Sequence, residues 1–298
     1  MNRTKNALFS YSFIFPSAFL TLVLGIYPIA WAFRYMFYEY KGYGHARFIG
    51  LDNFTRVMKD TQFWDSVGHT FVYAGGKLLI TIPLALLLAA ILNRGLKGRH
   101  LLRAIFFMPT VISTAVMAVV FFTIFNSYNG ILNQFLLKMG FSPVDWLGTD
   151  HAMLTVILVA AWGAVGNYML LFLAGLQNIP EDVYESSSLD GAGKIQQFRY
   201  ITLPMLGPVM QMVIMLAIIT ALKGYESIMV LTEGGPVGKT EVMFLYLYKL
   251  FFPVGGNAAA VQVQEFGYGS AVAFVCAVIV GMISLVYFYA SRRMNSMD

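Results

Sequence analysis

Side chains able to make or break bonds are few in this chain and keep no company. His45, His69, His100 and His151 are scattered, and none stands at the spacing of HExxH or another ligand pair. No GxSxG nucleophile elbow is present. The single cysteine, Cys276, lies in an apolar run, which excludes an intrachain disulfide framework and a CxxC redox or metal site. The stretch Glu233-Gly-Gly-Pro-Val-Gly-Lys-Thr240 nearly spells a phosphate-binding loop, but Glu233 stands where the first glycine is needed. What the polar groups can do is bind. Asn167 and Tyr168 lie in one apolar run, Thr220, Lys223, Tyr225 and Glu226 close another, and Lys77 sits in a third. Polar groups in lipid are expensive, so these residues are candidates for a solute path. Sugars are held by aromatic faces plus hydrogen-bonding groups, and Tyr168 supplies both. The competing reading for Lys77 and Lys223 is snorkelling to an interface, the favoured one here; for Asn167 it is an interhelical hydrogen bond.

A second constellation is built for contact with protein. The segment Glu185-Ser-Ser-Ser-Leu-Asp-Gly191, followed by Ile201-Thr-Leu-Pro204, forms a polar island between two apolar runs, rich in acids (Glu181, Asp182, Glu185, Asp190). Asn178 precedes Pro180, a favoured first-turn residue, and acids follow where a helix dipole prefers them. Gly191 can end that helix in the left-handed region. A second short helix is expected from about 194 to 201, with Leu203-Pro204 turning the chain into the next span. An ordinary helix-turn-helix loop is the bland reading. A folded polar elbow between two spans also suits display to another protein.

The elements that carry these groups are membrane spans. Of 298 residues, 58% are hydrophobic and 12% charged, whereas soluble domains carry about a quarter charged residues. Six apolar runs are long enough to cross a hydrocarbon core, near 12–35, 68–92, 104–126, 153–175, 205–225 and 268–290. The first is too long for a signal-peptide core and lacks a small-x-small cleavage site. All have helical length, so an all-α membrane protein of one domain is expected, with small outer helices within 127–152 and 226–267. The net charge of +5 shows no clustered basic face, which excludes nucleic acid as a partner. Arg94, Lys97, Arg99 and Arg103 in a short loop, Arg3 and Lys5, and Arg292 and Arg293 fall on one side of six spans. The positive-inside rule makes that side, both termini and the 178–204 elbow cytoplasmic, although Lys41, Arg47, Arg56 and Lys59 lie outside.

The elbow resembles the EAA loop of ABC-transporter permeases, whose pattern is Glu-Ala-Ala, three residues, Gly, nine residues, Ile-x-Leu-Pro. Glu185, Gly191, Ile201, Leu203 and Pro204 fall at matching positions, with Ser186 and Ser187 in place of the alanines. Tyr184-Glu185 and Asp190-Gly-Ala-Gly193 are similar to the carbohydrate-uptake branch, the maltose, glycerol-phosphate and multiple-sugar permeases. Phe48-Ile-Gly-Leu-Asp-Asn-Phe54, Phe106-Phe-Met-Pro-Thr-Val-Ile-Ser113 and Leu231-Thr-Glu-Gly-Gly-Pro236 resemble other stretches of that family. The resemblance implies the type I importer (MetI-like) architecture, with a cytoplasmic coupling helix that includes Asp190. It implies a multi-pass protein of a bacterial or archaeal inner membrane. The implied partners are a second homologous permease, an ATPase dimer that binds ATP and Mg, an extracytoplasmic solute-binding protein and a sugar, with no cofactor on this chain. It also places sugar contacts at Val165, Tyr168, Ala217, Thr220 and Ala221.

Two other classes are weighed against it. A secondary transporter predicts intramembrane carboxylates for ion coupling, and Glu226 is the nearest candidate. A structural subunit of a membrane enzyme predicts cofactor ligands in the spans, and the sequence offers none.

Overall fold

In hydrocarbon every backbone polar group must be satisfied within its own segment, and the apolar runs fold as helices accordingly. The structure is a computed structural model that describes residues 3–94, 96–253 and 264–295. In chain order it has α1 (Arg3–Leu20), a π-helical turn (Thr21–Ile26), α2 (Tyr27–Arg34), a hairpin of β1 (Tyr38–Glu39) and β2 (Arg47–Phe48), and α3 (Asp52–Lys59). Then come α4 (Thr61–Leu92), α5 (Arg99–Val111), α6 (Thr114–Ile124), α7 (Ile131–Lys138) and α8 (Ala152–Gln177). The elbow holds α9 (Glu181–Leu189), α10 (Lys194–Gln197), a second π-helical turn (Phe198–Thr202) and α11 (Leu203–Met205). Last are α12 (Gly207–Leu222), α13 (Glu226–Leu231), α14 (Met243–Phe251) and α15 (Phe266–Asn295).

Five helical stretches are long and apolar enough to cross a membrane: Tyr11–Phe37, Thr61–Leu92, Ala152–Gln177, Gly207–Leu231 and Phe266–Arg292. A sixth is reached only if α5 and α6 count together, and these are bent by 96°. The apolar run expected to span near 104–126 is thus a broken helix pair. Thr110-Val-Ile112 is a β-branched run that loses rotamer freedom in a helix. Ile112 takes an extended backbone (ψ 134°), and Ser113, a residue type suited to helix starts, opens α6. Hydropathy sums composition over a window and does not register such a change of direction.

At Leu203-Pro204, expected to turn the chain into the next span, the π turn runs into the short α11, and a turn at Leu206 separates α11 from α12. Pro204 has no N–H for the carbonyl of Tyr200, and the wider turn ahead of it absorbs the missing bond. The same device occurs in the first span, where the π turn ends two residues before Pro28.

The chain divides into two units. Unit one comprises 1–61 with 247–278. In it Tyr38 pairs with Phe48 and Glu39 with Arg47 in antiparallel register. Buried Asn53 donates to the carbonyls of Met36 and Tyr38, both at 3.0 Å. Arg56 pairs with Glu265 at 2.7 Å and lies over the Tyr268 ring, while the Tyr268 hydroxyl donates to Asp60. The 226–267 segment contains α13 and α14, and its residues 254–263 lie outside the described ones.

Unit two comprises 62–246 with 279–298 and is built around α8. Helices α5, α12 and α13 pack on α8, and α13 also packs on α6. One core cluster joins Ala85, Ala89 and Leu92 to Met169, Phe172, Leu206 and Val213. Another joins Tyr73, Met117 and Ala118 to Val156, Val159, Ile228 and Leu245. Gly163 and Gly166 let the neighbours of α8 come close: a Cβ at 163 would meet the Met117 sulfur at 2.9 Å, and one at 166 would meet the backbone of Phe106 and Phe107.

Candidate functional site

The break between α5 and α6 opens one wall of a cavity of about 560 Å³ within unit two. Pro109, Thr110, Ile112, Thr114 and Met117 form that wall; Ala160, Gly163 and Ala164 of α8 form the next. Helix α4 supplies Tyr73 and Lys77, the end of α12 supplies Thr220, the turn after it Lys223, Gly224 and Tyr225, and the start of α13 Glu226 and Ser227. Thr110 donates to the Gly163 carbonyl at 3.1 Å, which holds the break against α8. Gly224 leaves room for Tyr73, whose hydroxyl would lie 3.1 Å from a Cβ placed there.

Lys77 is the group that snorkelling does not explain. It stands at the middle of the 32-residue α4. At 1.5 Å per residue the nearer end of the expected span 68–92 is about 13 Å away, beyond the reach of a lysine side chain. Its ammonium lies 6.0 Å from the Tyr73 ring centroid, on the cavity side. Neither Lys77, Lys223 nor Glu226 takes part in any ion pair among the described residues.

The five positions carried by resemblance separate in the structure. Val165, Tyr168, Ala217 and Ala221 are buried in packed helix, and only Thr220 lines the cavity. Tyr168 is 4% exposed. Its hydroxyl bonds the Thr220 hydroxyl at 2.7 Å, and Thr220 in turn donates to the Ala217 carbonyl at 3.1 Å. In this conformation the Tyr168–Thr220 pair ties α8 to α12, and the Tyr168 ring offers no open face. Asn167 is exposed on α8 and is not part of the cavity wall. The sequence reading passed over Tyr73, and it set Lys77 aside because helical phase relative to neighbours is invisible without a fold.

The elbow is rigid for identifiable reasons. Pro180 sits at the N-cap, one position ahead of the expected first turn, and Glu181 and Asp182 fill that turn. Gly191 has φ +82°. Ala192 N–H reaches the Ser187 carbonyl at 2.9 Å and Gly191 N–H the Ser188 carbonyl at 3.1 Å, the double bond of a Schellman cap. A Cβ at 191 would meet nothing within 4 Å, so glycine is required by backbone conformation and not by crowding. The serines that replace alanines have partners: Ser186 donates to the Asp182 carbonyl at 2.8 Å and Ser187 to the Tyr184 carbonyl at 2.9 Å. Gln197 on α10 donates to Ser187 Oγ at 2.9 Å and Ser188 Oγ at 2.8 Å, bracing the two short helices. Tyr184 bonds Thr202 at 2.9 Å. Glu185, Asp190 and Pro204 are exposed; Ile201 and Leu203 are half-buried. Leu189 and Ile195, 90% and 84% exposed, were not singled out from sequence. Their signal was two apolar residues in an otherwise polar island.

The near P-loop is an ordinary loop. The Thr240 hydroxyl donates to the Gly235 carbonyl and bonds Thr232, both at 2.7 Å, and no strand precedes it among the described residues. Among those residues there is also no cluster of His, Cys, Asp and Glu fit to hold a metal.

Comparison with known proteins follows the same outline. Residues 81–295 match the family described as binding-protein-dependent transport system inner membrane component. The arabinooligosaccharides transport system permease protein AraP of Bacillus subtilis is 35% identical over 93% of this chain and 86% of its own length. The trehalose/maltose transport system permease protein MalF of Thermococcus litoralis is 33% identical over 97% of this chain and 95% of its own. Among solved structures, a bacterial ABC transporter involved in the import of the acidic polysaccharide alginate is similar with a TM-score of 0.83 and 25% identity, covering 97% of this chain and 96% of that one.

Proposed function

The chain belongs to the family of binding-protein-dependent transport system inner membrane components, and from that premise we propose that it is the permease of an ATP-driven saccharide importer. The observation that carries this reading is similarity along nearly the whole chain to permeases named for oligosaccharide and disaccharide transport. A second homologous permease completes the pathway, two ATPase subunits bind ATP and Mg, and an extracytoplasmic binding protein delivers solute. The elbow 178–204 is the coupling element on the cytoplasmic face. Exposed Leu189 and Ile195 offer apolar anchors for the ATPase, with Glu185 and Asp190 beside them. ATP closes the motor dimer, the elbow moves with it, and the permease pair opens outward; hydrolysis resets it inward. A hinge at the elbow would waste that stroke, and its Schellman cap and Gln197 brace suit a rigid lever.

The test is uptake by proteoliposomes holding the permease pair and its ATPase, with binding protein outside. Arabino-oligosaccharide, trehalose and maltose are the first solutes to offer. Accumulation should need both internal ATP and the binding protein. Uptake driven by a proton or sodium gradient alone would replace this reading with a secondary transporter, for which Glu226 would be the coupling carboxylate.

A further inference from the structure

We infer that the cavity at the α5–α6 break selects an anionic saccharide, with Lys77 and Lys223 as the groups that meet its negative charge; this rests on the permease reading above. The cavity is lined by two ammonium groups against one carboxylate, Glu226, on a wall otherwise made of hydroxyls, backbone and apolar groups. Hydroxyls and amines alike can bond a neutral sugar, but only an anion also answers the two positive charges. A cation in mid-membrane is costly unless something answers it. Snorkelling is closed to Lys77 by its place at the middle of α4. Pairing is absent too: neither Lys77 nor Lys223 has an ion-pair partner or a side-chain hydrogen bond among the described residues.

Position strengthens the inference. Lys77 on α4 and Lys223 at the C-cap of α12 line the same space, so an anion there would meet charge from two elements. At the low effective dielectric of such a site, two cations on one anion discriminate strongly against neutral solutes. Glu226, the one carboxylate in the lining, leaves the empty cavity with a net positive charge. The ligand charge is a carboxylate, as in a uronic acid, or a phosphate ester. Both answer to the same amines.

The experiment uses the complete importer with its own binding protein in proteoliposomes. Labelled oligogalacturonide, glucose 6-phosphate and maltotriose are offered in separate arms, each at a concentration that saturates the binding protein. One anionic arm should be accumulated in preference to maltotriose, and which one identifies carboxylate or phosphate as the source. Lys77→Met should lower that uptake about tenfold or more, the scale of removing one partner of a desolvated charge pair. Lys77→Arg should restore most of it, and Lys223→Gln should lower it in the same direction. Recovery of the assembled complex by gel filtration separates misfolding from lost selectivity. Accumulation of maltotriose with no anionic arm transported would overturn the inference and leave the saccharide importer standing. Anionic uptake unchanged in both Lys77→Met and Lys223→Gln would overturn it as well. Uptake of no saccharide at all, with the complex assembled, would remove the saccharide reading together with it.

Discussion

At the scale of single residues, the most informative contact is the 2.7 Å bond between Tyr168 and Thr220. Family resemblance assigns both residues to a sugar, but in this conformation each satisfies the other. A buried hydroxyl pair contributes about 1 kcal/mol when intact, and leaving one partner unsatisfied costs about 1–3 kcal/mol. Tyr168→Phe and Thr220→Val should therefore each lower the stability of the solubilised complex, and the double variant should be little worse than either single one. A double-mutant cycle on thermal unfolding measures this. Strictly additive losses would show that the bond does not link α8 to α12. The residue types at these positions were legible in the sequence, and so was the need of a polar group in a span for a partner. Which partner it takes was not legible, because helical phase decides it and two helices must first be placed side by side. Lys77 makes the same point in reverse: its cost could be read from sequence, and the cavity that accommodates it could not.

At the scale of elements, the short helices of the elbow follow from local sequence, whereas the bend within the third apolar run does not. Local rules govern the elbow: a proline ahead of a helix, acids in its first turn, a glycine at its end. Each acts within a few residues and needs no tertiary partner. The brace by Gln197 is also short in sequence, but it depends on the angle between α9 and α10, which only the fold supplies. Gly191→Val should disturb the elbow most, since a β-branched residue in the left-handed region costs more than the roughly 1–2 kcal/mol of an ordinary side chain. Gln197→Ala should act more mildly, because Ser187 and Ser188 keep their bonds to the Tyr184 carbonyl. Binding-protein-stimulated ATPase in reconstituted vesicles is the readout. Stimulation should be lost in Gly191→Val and reduced in Gln197→Ala, with both chains still inserted. Normal stimulation in both would mean that the elbow transmits no force. The bend between α5 and α6 escapes a sequence reading for the opposite reason. A bend of 96° leaves average hydropathy unchanged, and the clue lay in three consecutive β-branched residues before a serine. That break is also what makes the cavity.

At the scale of the whole molecule, every functional statement above depends on which faces meet the cytoplasm. The short loop with Arg94, Lys97, Arg99 and Arg103 argues for one orientation, and four basic residues in 36–67 argue against it. The first is the denser, its four lying within ten residues, and Arg3, Lys5, Arg292 and Arg293 fall on the same side of six spans. An odd number of spans would separate the termini, so counting α5 and α6 as one broken span is part of the same claim. Single cysteines at Arg99 and Gln196, both exposed, should resist an impermeant thiol reagent in intact cells and react once the cells are opened. A cysteine at Tyr128, 89% exposed in the segment expected outside, should react without opening the cells. Native Cys276 is buried and stays silent. Labelling at 99 and 196 from outside would invert the protein and place the elbow where no ATPase can reach it. Labelling at only one of the two would change the number of crossings between them, which depends on how the broken α5–α6 pair and α8 traverse the membrane. Protection of both, with reaction at 128, is the pattern in which the elbow faces ATP and the 128 segment faces the delivered solute.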